Sequence, residues 1–191
     1  MVPTYTEDAK KRILQAAADQ FKEKGYFQST MDDIATRLGI SKGAIYRYFD
    51  SKESLLSALY AGAPENLHSL FEAASEDPMT AAREVFNKMA TKANANLFVD
   101  FLAEASMNSE FLKVLRDNIE RFTGAMEDVL KEKNPKINPK EAEKLHDSLV
   151  TLGLVFNGLT CWLAIGVPET EARKVWSRSL ELLLSPLVKK K

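Results

Sequence analysis

The chain has 191 residues, 45% hydrophobic and 28% charged, enough for one large domain or a small domain joined to a medium one around a real apolar core. A net charge of −1 gives no overall basic footprint, and residues 1–55, with nine Lys/Arg against eight Asp/Glu, are close to neutral too. The single cysteine, Cys161, excludes an internal disulfide and fits a reducing compartment, and with only His68 and His146 beside it no zinc, haem or other metal or cofactor site is expected.

Only helices are predicted, making the chain all-α. Residues 7–24 place Ile13, Leu14, Ala17 and Phe21 at helical spacing, with Gly25 as the stop. Thr30 with Asp33 forms a capping box ahead of Ile34, Ala35 and Leu38, and Gly39 ends that short helix. Ser41 caps another short helix almost at once, and Asp50, with Glu53 three positions on, caps a further one starting near Ser51. Two short helices across a glycine turn make a helix-turn-helix, whose second helix enters the DNA major groove. Gly62-Ala63-Pro64 should then kink or break the fourth helix, and Asp77-Pro78 should close a helical stretch running to about Ser75. Longer helices follow over 79–92, 94–107 and 109–132. Asn138, Pro139 and Glu141 open another that runs to about Ile165, and the last spans about 169–185. No apolar run approaches the roughly 18 residues of a membrane span, and the N-terminal residues lack the order of a signal peptide. A cytoplasmic chain without a membrane partner is the expectation.

The last two helices carry more apolar surface than one contact needs. Leu145, Leu149, Leu152, Phe156, Leu159 and Leu163 alternate gaps of four and three, while Val150, Leu154, Val155, Cys161 and Trp162 lie off that stripe. Ala172, Trp176, Leu180, Leu183 and Leu187 make a similar stripe. Such a helix pair usually buries its spare surface against a second copy.

Residues 7–56 resemble the N-terminal domain of the tetracycline-repressor (TetR) family of transcriptional regulators. The resemblance lies in Gly25-Tyr26, Ser29-Thr30-Met31-Asp32-Asp33-Ile34-Ala35, Leu38-Gly39-Ile40-Ser41-Lys42-Gly43-Ala44-Ile45-Tyr46-Arg47-Tyr48-Phe49 and Ser51-Lys52-Glu53-Ser54-Leu55-Leu56. It implies a three-helix DNA-binding head, taken as residues 1–50, and a helical ligand-binding and dimerisation domain, 51–191. It also implies a homodimer on a palindromic double-stranded operator, with an effector that swings the fourth helix and releases DNA.

Roles follow residue by residue. Gly43 and Ala44 are small enough for the backbone to approach the bases, Ala44 can touch a thymine methyl, and Lys42 can reach a guanine edge or a phosphate. Thr30, Ser41, Tyr46 and Tyr48 offer hydroxyls to phosphates, and Arg47 and Lys52 supply charge. The dimer interface is expected at Leu145, Leu149, Leu152, Phe156, Leu159 and Leu163 with Trp176, Leu180 and Leu183. Candidate ligand contacts are Phe86, Met89, Phe98, Phe101, Met107, Phe122 and Met126, with Asn157 and Trp162. That set has no charged cluster, which points to a small apolar or amphipathic effector. The chain offers no nucleophile–base or metal constellation, so an enzyme is not expected. The reading is a ligand-responsive regulator, most simply a repressor. The alternative is a DNA-binding dimer without a small-molecule effector, architectural or partner-controlled.

Overall fold

The computed structural model describes residues 5–63, 65, 66, 69, 77–133 and 137–185, and every regular element among them is an α-helix. In chain order these are α1 (Tyr5–Lys24), α2 (Met31–Leu38), α3 (Lys42–Tyr46), α4 (Lys52–Ala61), α5 (Pro78–Met89), α6 (Lys92–Met107), α7 (Ser109–Lys133), α8 (Pro139–Ala164) and α9 (Glu169–Leu183). The expected stretch up to Ser75, Pro64, His68, Leu187 and the Lys189–Lys191 tail lie outside or largely outside the described residues.

Most of these boundaries come from side chains that satisfy the free N–H groups of a first turn. Thr30 and Asp33 close a reciprocal box on α2, and Asn138 and Glu141 do the same on α8, with Pro139 in its first turn. The expected cap at Asp50 is corrected: Ser51 is the N-cap of α4 and Ser54 completes its box. Asp77 opens α5, accepting from the Thr80 N–H at 2.8 Å with Pro78 at the helix start, and the stretch it is expected to close lies largely outside the described residues. The short residue one position on from Asp50 has the extended backbone a cap needs. α4 stops at Ala61, and the N–H of Gly62 bonds back to the Ala58 carbonyl at 3.2 Å.

Two apolar clusters form the interior. The first joins the head to the middle of the chain: Ile13, Ala17, Phe21, Ile34, Ile45, Phe49, Leu55 and Leu56 bury together with Leu97, Phe101 and Ala105 of α6 and Phe111 of α7. The second fills the body, where α8 packs on α6, α7 and α9, and α9 packs on α5. Its centre is aromatic. Phe86 stacks on Trp176 with centroids 5.0 Å apart and meets the Phe156 ring edge-on at 5.5 Å. The Trp176 indole N–H donates to the Ala82 carbonyl at 3.0 Å, which leaves this buried donor satisfied.

The structure also corrects the expectation that no segment reaches spanning length. α8 has 26 residues and an 18-residue window of mean hydropathy 1.3, so by length and composition it could cross a bilayer. The core helix of a folded protein meets the same test, and Leu145, Leu149, Leu152, Leu159 and Leu163 of α8 are buried inside the chain.

Candidate nucleic-acid interface

The head presents the first turns of α2 and α3 side by side. At the start of α2 the Thr30 hydroxyl accepts from the Asp33 N–H at 3.1 Å, and the Asp33 carboxylate accepts from the Thr30 N–H at 2.8 Å. Lys24 adds an ion pair to that carboxylate at 2.9 Å. The hydrogen bonds from Lys24 and Thr30 hold the Asp33 carboxyl down to about 2. Gly39, at φ 66°, makes the left-handed turn out of α2, and the next N–H, of Ile40, returns to the Ala35 carbonyl at 3.1 Å. That turn sets α3 against α2. Ile45 is fully buried and anchors α3 by its inner face, so its other residues are turned outward.

Thr30, Ser41, Lys42, Gly43, Tyr46 and Arg47 are exposed, and Ala44 and Tyr48 are half-buried. Ser41 is the N-cap of α3, yet its side chain makes no capping hydrogen bond, so the hydroxyl is uncommitted to the helix. A Cβ on Gly43 would meet nothing within 4 Å, which leaves open space over that backbone. Lys42 reaches across to α2, with its ammonium 3.0 Å from the Asp32 carboxylate and 6.0 Å from the centroid of the Tyr46 ring. An exposed surface of hydroxyls, one small-residue step and cations can approach a duplex closely and bond to phosphates and base edges.

Lys52 is placed differently. Its ammonium donates to the carbonyls of Tyr26 at 2.9 Å and Phe27 at 3.5 Å and lies 4.3 Å from the centroid of the Tyr26 ring. It clamps the loop between α1 and α2 instead of standing clear for phosphate. The same loop is held from the body, because the Tyr26 N–H donates to the Asp100 carboxylate of α6 at 3.3 Å. Burial raises the Asp100 carboxyl above its ordinary value, against the opposing pull of the Tyr26 N–H and Lys52. On the far end of α4, the Tyr60 ring stacks on Phe101 with centroids 3.8 Å apart. Asn118 and Arg121 of α7 donate to the terminal carbonyls of Tyr60 and Ala61, and Arg121 also pairs with Glu65. Tyr26, Asp100, Asn118 and Arg121 were not among the residues expected from the sequence. Their partners lie 26 to 74 positions away, beyond any local spacing rule.

Of the residues expected to line a ligand site, four meet in one core cluster and the others are dispersed. Phe86 and Met126 are buried in the body core, with Met89 and Phe122 packed against it. Phe101 belongs to the head cluster, and Phe98 lies near Tyr60. Asn157 is half-buried, Trp162 is half-exposed and Met107 is almost fully exposed. The expected dimer stripe is also largely spent inside the chain. Leu145, Leu149, Leu152, Leu159, Leu163, Trp176 and Leu180 are buried, and Phe156 and Leu183 are partly so against the same core. The apolar residues that α8 and α9 leave exposed are Val150, Leu154, Trp162, Ile165 and Leu182, on or just past the ends of these helices. The sequence pattern contained both stripes of α8 but not which one faces inward.

Residues 13–59 match the family described as bacterial regulatory proteins, tetR family. Over 142 residues the chain is 25% identical to the uncharacterised HTH-type transcriptional regulator YhgD of Bacillus subtilis, covering 74% of this chain and 70% of that one. It is 30% identical over 105 residues to the HTH-type transcriptional regulator TtgR of Pseudomonas putida, and so spans about half the length of that protein (50%) with half of its own (50%). The fold is shared with a TetR transcription regulator from Haloarcula marismortui at 19% identity and TM-score 0.69, over 92% of this chain and 98% of that one. The matched segment runs from the core of α1, through the exposed turns of α2 and α3, into α4, so the likeness to the tetR family of bacterial regulatory proteins is carried by the helix-turn-helix of residues 13–59.

Proposed function

We propose that the protein is a repressor, acting in the cytoplasm as a homodimer on a palindromic operator and released by a small apolar or amphipathic effector. The observation that carries this reading is the exposed face formed by Thr30, Ser41, Lys42, Gly43, Tyr46 and Arg47 over the buried anchor Ile45. In this reading residues 1–50 act as the head, and 51–191 as the body. The body pairs with a second copy through the exposed stripe Val150, Leu154, Trp162 and Ile165 of α8 and its end, with Leu182 of α9. Two heads must then stand about 34–36 Å apart to enter successive major grooves. Movement in the body reaches the head by two routes: the Tyr60–Phe101 stack with the Asn118 and Arg121 bonds at the end of α4, and the Asp100 bond to Tyr26.

The test is fluorescence anisotropy on DNA from upstream of the protein's own gene against random DNA at one fixed salt. Tight, sequence-selective binding is expected, and apolar compounds screened in the same assay should include one that lowers it. A second reading, a DNA-binding dimer without an effector, is favoured by the packing of Phe86 and Met126 into the core. An effector that releases the operator decides against it.

A further inference from the structure

Four of the nine cations in residues 1–55 are engaged with the protein itself. Lys24 pairs with Asp33 at 2.9 Å, Arg37 pairs with Glu23, and Lys52 is held by the Tyr26 and Phe27 carbonyls. Lys42 is the member of this group that stands on the first turn of α3. Its ammonium lies 3.0 and 3.1 Å from the two oxygens of the Asp32 carboxylate. Both side chains are more than half exposed, at 57% and 60%, so the pair sits at the surface a duplex would cover and is not part of the core. The box that caps α2 uses Asp33, which leaves Asp32 without a part in that cap.

Sequence-neutral binding to DNA comes almost entirely from cations that neutralise phosphates and release counterions. A lysine already neutralised by a carboxylate brings little net charge to that exchange, and the carboxylate itself repels the nearest phosphate. A guanine edge offers something a phosphate does not, two directed acceptors in a groove cleared of water. We propose that Asp32 is a specificity-determining residue of the DNA interface, holding Lys42 away from sequence-neutral phosphate contacts and yielding it where an operator base replaces the lost bonds. The inference rests on the reading of the first turns of α2 and α3 as the DNA interface. Asp32 acts through Lys42 and is a positioning residue.

The experiment uses the full chain, an operator recovered by selection from genomic fragments, and a random duplex, each titrated between 50 and 200 mM salt. Asp32→Asn should bind random DNA more tightly than wild type, with a salt slope steeper by about 0.9, the value of one further phosphate contact. Its advantage on random DNA should therefore shrink about threefold to fourfold across that salt range. Operator affinity should change less, so the specificity ratio falls, and Asp32→Glu should restore wild-type behaviour. In a Lys42→Ala background the added slope should vanish. An unchanged slope on random DNA, an equal gain on both DNAs, or a gain that persists without Lys42 overturns the inference alone. A wild-type chain that selects no sequence removes the DNA-regulator reading and this inference with it.

Discussion

Leu154 and Leu159 lie on the same helix five residues apart, which at 3.6 residues per turn sets them about 140° apart around α8. Leu154 is 66% exposed in the single chain and Leu159 only 4%. A glutamate at each position should therefore fail in different ways. Burying a leucine fully is worth about 1.5–3 kcal/mol, so covering the exposed two-thirds of Leu154 contributes about 1–2 kcal/mol per copy. In a two-fold interface each substitution acts twice, so Leu154→Glu should cost about 2–4 kcal/mol of association before any repulsion between the new charges. At 1.4 kcal/mol per decade this raises the dissociation constant roughly 30- to 700-fold, with the fold of the monomer unchanged.

Leu159→Glu removes packing worth about 2–5 kcal/mol and leaves an unpaired carboxylate in the core, which costs several kcal/mol more. Against a total stability of about 5–15 kcal/mol, the body should not fold. Sedimentation equilibrium over a range of concentrations, with circular dichroism melting on the same samples, separates the two outcomes. A Leu154→Glu variant with the wild-type dimer affinity would move the interface off this face of α8. A Leu159→Glu variant that is fully folded and simply monomeric would refute the assignment of that leucine to the core.

The caps predict a contrast between two serines: Ser51→Ala should cost about 1 kcal/mol and a few degrees of melting temperature, whereas Ser41→Ala should leave melting unchanged and weaken DNA binding. Equal melting shifts in the two variants would contradict the difference in their hydrogen bonds. Lys52→Met should lower the melting temperature by loosening the loop between α1 and α2, with the salt slope of DNA binding unaltered; a slope smaller by about 0.9 would show that the ammonium leaves the Tyr26 and Phe27 carbonyls for a phosphate. The Tyr60 hydroxyl is pushed above its ordinary value of 10.0 by desolvation and then by the Asp100 charge, so its contribution to stability is full below pH 10 and is lost as pH rises beyond it. Urea unfolding midpoints should fall above pH 10, and Tyr60→Phe should flatten that fall while keeping the ring on Phe101; an identical alkaline profile in the variant would sink the assignment.

The exposed turns of the head were legible in the sequence because their causes are local. A box such as Thr30 with Asp33 or Asn138 with Glu141 joins groups three residues apart, so spacing and residue type suffice to place it. The error at Asp50 is of the same local kind: adjacent Asp50 and Ser51 are both good caps, and the choice falls to the residue whose backbone is extended, with Ser54 three positions on to answer it. Other features are settled by partners far along the chain. α8 shows two apolar stripes, and the inward one is chosen by the aromatic cluster of Phe86, Phe156 and Trp176, whose indole bond to Ala82 spans 94 positions. Lys52 stands where the family pattern puts a positive charge, yet its direction depends on a carbonyl 26 positions back, on a loop that Asp100 holds from 74 positions further on. Motif spacing thus locates a charge near DNA, and tertiary contacts decide whether that charge is spent on DNA or on the joint between head and body. In this chain Arg47 has no ion-pair partner among the described residues, Lys42 is shared with Asp32, and Lys52 is committed to the joint. On the proposed reading, a head whose charges nearly cancel still binds DNA selectively, because Asp32 yields Lys42 only where an operator base replaces the lost bonds.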